Sequence, residues 1–202
     1  MITFYHSPMT RSTRVLALLA AMDILDRVTI REVDITRFDG SGHPDPSNPH
    51  PDGKVPVLVH DGVTIWETAA ILLYLTDLFP EAGLGIPVGD PDRGRYLSWL
   101  AWYAGVMEPA LIHDAAGLAH PFLSATYRGP DAIRARLSEA LNTEDWLVGG
   151  RFTAADLLVS SPFLWFKDLE PGSPRVADWV ARCAVHPGRI AAMEMDGRAL
   201  AA

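Results

Sequence analysis

Three short stretches hold residue types that could do chemistry together. The first, Ser7-Pro8-Met9-Thr10-Arg11-Ser12, sets three hydroxyls in a turn between a strand-like and a helical pattern. A turn that leaves a parallel strand's carboxyl end and opens a helix presents free N–H groups and the positive end of the helix dipole. A thiolate is a charge that such a place favours, and a hydroxyl from Ser7, Thr10 or Ser12 would add a hydrogen bond to it. Plain helix capping is the alternative use of the same side chains. The second stretch is Gly53-Lys54-Val55-Pro56-Val57-Leu58. A cis Val55-Pro56 bond would turn the chain sharply and leave the Val55 N–H and C=O to pair with an extended peptide, as one rung of a ladder. A trans proline on an edge strand is the alternative. The third is Trp66-Glu67-Thr68-Ala69-Ala70-Ile71. There the Thr68 hydroxyl and nearby N–H groups would take the carboxylate of an amino acid head group, with Glu67 facing its ammonium. A helix cap is again the alternative.

Other chemistries find little support. The seven histidines show no His-x-x-x-His or Cys/Asp metal spacing, so no metal is expected. There is no Gly-x-Gly-x-x-Gly and no Gly-Lys-Ser/Thr loop, and Ser160-Ser161 lacks the context of a nucleophile elbow. Cys183, the only cysteine, lies in an apolar helical stretch and reads as a packed thiol. It allows no intrachain disulfide, which suits a reducing cytoplasm. The formal net charge of −8 disfavours nucleic acid as a partner. No run of apolar residues is long enough to span a membrane, and the opening Met1-Ile2-Thr3-Phe4-Tyr5 lacks the features of a signal peptide.

The elements that must position these stretches follow from periodicity. Residues 1–6 and 28–34 read as strands flanking a helix over 12–22, a βαβ unit that forces a parallel pair. Residues 38–53, with four prolines, read as loop. Val57–His60 and Val63–Trp66 flank Asp61-Gly62, a hairpin signal, and a helix follows from Thr68. Pro80–Asp92 holds three prolines and three glycines and reads as a linker. Beyond it the pattern is helical: residues 92–118, residues 122–141, a helix opened by the capping box Thr153–Asp156, and two short helices at 174–184 and 187–195. The expected architecture is an α/β N-terminal domain with a small mixed sheet (1–79), a linker (80–91) and an all-helical domain (92–202).

In this order the motifs resemble the cytosolic glutathione S-transferase family over nearly the whole chain. The stretch Asn48-Pro49-His50-Pro51-Asp52-Gly53-Lys54-Val55-Pro56 is similar to that family's Asn-Pro-x-Gly-Lys-Val-Pro motif, lengthened by an insertion. Glu67-Thr68-Ala69-Ala70-Ile71 is similar to its Glu-Ser/Thr-x-Ala-Ile motif, and Thr153–Asp156 to its helical folding motif. The resemblance implies a thioredoxin-like first domain with glutathione as co-substrate. Val55, before a cis Pro56, would pair with the cysteinyl part, Glu67 and Thr68 would hold the γ-glutamyl head, and Lys54 and His50 would approach the glycyl carboxylate. A first-turn residue would stabilise the thiolate. The turn lacks the cysteine of some classes, and Tyr5 falls early for the tyrosine type. Ser7 and Thr10 fit the serine type in two alignments, with Thr10 slightly favoured, and Ser12 is a further candidate. The implied reaction is conjugation of glutathione to a hydrophobic electrophile in detoxification. Isomerisation, dehalogenation, peroxide reduction and non-catalytic binding are the alternatives. Met9, Tyr96, Trp99, Trp102, Tyr103, Met107 and Phe163 are the expected apolar cleft residues, and a cytoplasmic homodimer is implied.

Overall fold

Alternation along Ile2–His6 sends Ile2, Phe4 and His6 to one buried face, and this strand, β1, leads into helix α1 (Thr13–Ala21). In the computed structural model, which describes residues 1–166 and 168–201, β2 (Val28–Glu32) returns parallel to β1, as a crossover through a helix allows. β3 (Val57–His60) runs antiparallel to β1 on its other side, and β4 (Val63–Trp66) pairs antiparallel with β3. The sheet order is β2-β1-β3-β4. Asp61 and Gly62 both have positive φ (48° and 85°), the conformation of the tight hairpin turn that Asp-Gly favours. Helix α2 (Thr68–Leu78) buries Ile71, Leu72 and Leu75.

The chain divides into two units, Met1–Ala82 with Val185–Ala202, and Gly83–Ala184. This differs from the expected helical domain over 92–202. The last helix, α10 (Pro187–Ala201), runs beyond the expected end at Met195 and belongs with the sheet, packed along α1. Its buried stripe is Gly188, Ala192 and Asp196, spaced four apart on one face. Two small residues and an acid give almost no hydrophobic period, so the buried face was hidden from pattern reading. The approach is close: a Cβ on Gly188 would lie 2.5 Å from the Ala21 Cβ and 2.5 Å from its backbone nitrogen. Gly188→Ala is therefore expected to destabilise this unit by about 1–3 kcal/mol, read as a lower urea midpoint.

In the second unit, the expected helix over 92–118 is α3 (Arg93–Trp102), a π-helical turn (Tyr103–Met107) and α4 (Glu108–Ala115). The expected helix over 122–141 is broken into α5 (Pro121–Tyr127) and α6 (Gly129–Ala140). Arg128 between them takes φ 60°, and Pro130, without an N–H, cannot continue a helix from upstream. Then come α7 (Ala154–Ser160), α8 (Pro162–Trp165) and α9 (Pro174–Ala184). At the start of α7 the buried Asp156 carboxylate accepts four hydrogen bonds. Two come from the Leu147 N–H and Trp179 Nε1, each at 2.9 Å, and two from the Thr153 N–H (2.9 Å) and hydroxyl (3.0 Å). No helix among the described residues is long and apolar enough to cross a membrane.

Candidate functional site

Register brings the three chemical stretches together. Tyr5 pairs with Val57, and Val57 pairs with Trp66. The carboxyl end of β1, the start of β3 and the end of β4 therefore share one end of the sheet. From that end leave the Ser7–Ser12 turn, the Val55-Pro56 step and Glu67-Thr68.

Two of the three stretches expose polar main chain there. The Val55-Pro56 bond is cis, and among the described residues none takes the Val55 N–H or C=O. At α2, the first helical bond is Ile71 N–H to Glu67 C=O, so the N–H groups of Thr68, Ala69 and Ala70 have no partner among the described residues. Neither Glu67 nor Thr68 makes a side-chain cap, so plain capping does not account for them. Glu67 has φ 70° and ψ 123°, an unfavourable conformation for a residue with a Cβ, costing on the order of 1–3 kcal/mol. It aims the helix start outward and leaves the Glu67 side chain exposed.

The glycyl-side candidates sit on a loop tied to itself. Asn48 Nδ2 donates to the Lys54 carbonyl (3.1 Å), Asn48 Oδ1 accepts from the His50 N–H (3.0 Å), and the Asp52 N–H donates to His50 Nδ1 (2.9 Å). The His50-Pro51-Asp52 insertion thus folds back on its own imidazole. Lys54 is exposed.

The first turn is a closed network. Ser12, fully buried, lies 2.8 Å from Thr10 Oγ1 and 2.8 Å from His6 Nδ1, and its hydroxyl accepts from the Ser7 N–H at 3.1 Å. Thr10 Oγ1 also reaches the Ser7 carbonyl at 2.7 Å. Ser7, 2% exposed, accepts a hydrogen bond from Arg37 through its Oγ at 3.1 Å. Of the three candidate hydroxyls, only Thr10 is half-exposed. Met9 takes φ 54° and is 37% exposed, and its N–H donates to Asp196 Oδ2 at 2.7 Å.

Asp196 was not foreseen, nor were His6 and Arg37. Asp196 Oδ2 also accepts from the Thr13 hydroxyl (2.6 Å), and its Oδ1 lies 2.9 Å from His6 Nε2. Burial acts to raise the Asp196 carboxyl, but the hydrogen bonds from His6, Thr13 and Met9 outweigh it and hold it below the ordinary carboxylate value. The sequence carried one signal for His6: alternation places it on the face of Ile2 and Phe4, where a histidine needs partners. Nothing local marks Asp196 or Arg37.

Apart from Met9, the apolar candidates lie in the helical unit. Tyr96, Tyr103 and Met107 are at most 1% exposed and Trp99 is 7% exposed, so these four are buried side chains. A helical stripe of aromatics reads the same whether it faces a ligand or other helices. Trp102 and Phe163 are half-exposed. Trp102 stacks edge-on against Trp99 and lines a cavity of about 550 Å³ with Val106, Tyr127, Ile133 and Arg136. Among the described residues, no group of three His, Cys, Asp or Glu is placed to hold a metal.

A βαβ–ββα sheet that gathers an open rung, an open helix start and a hydroxyl turn at one end, followed in sequence by helices, defines a thioredoxin-like domain with an all-helical partner. The model of the glutathione S-transferase N-terminal domain matches residues 8–78, and that of the glutathione S-transferase C-terminal domain matches residues 128–187. The chain is 29% identical to the glutathione S-transferase GstA of Escherichia coli O157:H7, over 73% of this chain and 76% of that one. It is 41% identical to protein LigF of a Sphingobium strain, over 68% of this chain and 72% of that one. The solved structure of a sphingomonad glutathione S-transferase complexed with glutathione superposes with a TM-score of 0.78 at 26% identity, covering 96% of this chain and 98% of that one. The chain belongs to the glutathione S-transferase family.

Proposed function

We propose that glutathione lies along this end of the sheet and that its thiolate, formed on the first turn, attacks a hydrophobic electrophile. The observation that carries the reading is the pair of open main-chain sites: the Val55 rung and the α2 N-terminus, set side by side by register. The first matches the backbone of a cysteinyl residue. The second matches an α-carboxylate, which would receive the Thr68 hydroxyl and the free N–H groups, while the exposed Glu67 carboxylate meets the ammonium. Lys54 and His50 are the cationic and hydrogen-bonding groups offered to the glycyl end. Thr10 is the hydroxyl placed to donate to the thiolate, since Ser7 and Ser12 are buried. Trp102 and Phe163 are the aromatic side chains of the expected set open to an apolar substrate. The reading extends to a homodimer in a reducing cytoplasm, which sedimentation and fractionation would check.

Calorimetry with glutathione tests the cradle. Thr68→Ala removes a hydrogen bond to a charged group and is expected to weaken glutathione about tenfold or more. It should leave folding stability within about 0.5 kcal/mol, because Thr68 caps nothing. Unchanged affinity in both Thr68→Ala and Glu67→Ala would refute the placement of the γ-glutamyl head.

A further inference from the structure

The network beneath the first turn has a direction. Asp196 is ionised, so its Oδ1 only accepts, and His6 Nε2 must carry the hydrogen between them. In neutral His6 that leaves Nδ1 with a lone pair, and the Ser12 hydroxyl, 2.8 Å away, must donate to it. Ser12 Oγ then has lone pairs for the Ser7 N–H (3.1 Å) and for the Thr10 hydroxyl (2.8 Å), whose one hydrogen turns between Ser12 Oγ and the Ser7 carbonyl (2.7 Å). The hydroxyls thus line up from the half-exposed Thr10 inward to a buried imidazole backed by a carboxylate.

We propose that this line is a proton relay, in which His6, paired with Asp196, receives the proton of a thiol seated at Thr10. The inference rests on the placement of glutathione given above. The thiol S–H bond breaks and sulfur keeps the electron pair. Its proton goes to Thr10 Oγ1, the Thr10 hydrogen passes to Ser12 Oγ, and the Ser12 hydrogen forms a new N–H bond at His6 Nδ1. The products are a thiolate facing the Thr10 hydroxyl and an imidazolium–carboxylate pair, with Thr10 and Ser12 neutral as before.

Charge favours this arrangement. Asp196 already holds a negative charge against the turn through the Met9 N–H. A thiolate formed by releasing its proton to solvent would add a second anion there, whereas a proton kept on His6 neutralises the first. The other charged groups lining the cavity beside His6 are Glu32 on β2 and Arg198 on α10, opposite in sign. On α1, Thr13 shares the Asp196 carboxylate. His6, Ser12 and Asp196 act through Thr10 and are positioning residues, with Thr10 the group that meets sulfur.

The test counts protons. Glutathione and S-methylglutathione, which has no thiol to ionise, are titrated calorimetrically into the wild-type protein at neutral pH, in buffers of different ionisation enthalpy. Thiolate is counted in parallel from its ultraviolet absorbance. The relay requires that thiolate appear while the two ligands release the same number of protons. Release of about one extra proton per thiolate with glutathione would overturn it and leave the glutathione site standing. Absence of glutathione binding, or binding without thiolate, would remove the site reading and the relay with it. In His6→Asn, which keeps a hydrogen-bonding side chain but cannot hold the proton, thiolate absorbance should vanish and kcat/KM fall about a hundredfold, with glutathione affinity changed only a few-fold. A purely structural His6 would instead weaken binding and stability together and leave thiolate per bound glutathione unchanged. If the variant does not fold, the wild-type proton count decides alone.

Discussion

Asp156→Ala is expected to cost the helical unit about 3–5 kcal/mol, enough to leave much of it unfolded in the cell. The carboxylate is fully buried and takes four donors from three separate places: the Thr153 cap, the Leu147 main chain and the Trp179 indole. Truncation leaves those donors buried without an acceptor. Trp179 is itself fully buried, so its unpaired N–H has no route to water. Asp156→Asn keeps one oxygen and turns an amide toward the remaining donors, so it should recover only part of the loss. The pH dependence has a definite sign. Burial, opposed by the hydrogen bonds, raises the Asp156 carboxyl above its ordinary value. An acid whose folded value is raised contributes stability fully present below its unfolded value and lost as pH rises through the folded one. The wild type should therefore lose stability over that interval, and Asp156→Asn should not show this loss. Urea denaturation of both proteins across pH checks it, and an equal slope in the two would rule the assignment out.

Thr10→Ala carries the largest expected effect on activity. Removal of a single donor aimed at an anionic reacting atom typically costs about 10²–10³ in rate, and this loss is expected in kcat/KM toward a model aryl halide. Glutathione affinity should change only a few-fold, because the proposed peptide contacts lie at Val55 and Thr68. Thr10→Ser should restore most of the activity, since it keeps the hydroxyl that reaches Ser7 and Ser12. Ser7→Ala should have a smaller effect, as that side chain is 2% exposed and turned to Arg37. A Thr10→Ala protein with wild-type kcat/KM and wild-type thiolate absorbance would show that the Thr10 hydroxyl does not activate the thiol.

The open main chain at Val55 and at the start of α2 was legible because it depends on local chain chemistry. Proline before an apolar strand, Asp-Gly between two such strands and a hydroxyl at a helix start each constrain the backbone of their own few residues. The βαβ crossover and the hairpin then fix the β1–β2 and β3–β4 pairs, and the folded structure joins them by pairing β3 with β1. The capping box at Thr153 was legible for the same reason, although Trp179 and Leu147 as partners of its Asp156 were not.

What the sequence alone determined is this set of local devices and the two-part fold class. Tertiary structure decided the rest. It buried Ser7 and Ser12 and left Thr10 half-exposed, a difference that depends on the packing around the turn. The burial of Tyr96, Tyr103 and Met107 was settled there as well, because a helical stripe does not say what it faces. It also brought Asp196 from the far end of the chain to Met9, Thr13 and His6, through a helix whose inner face is glycine, alanine and the acid itself. Periodicity reports apolar burial. A polar contact across nearly the whole chain leaves no period, and only the folded geometry reveals it.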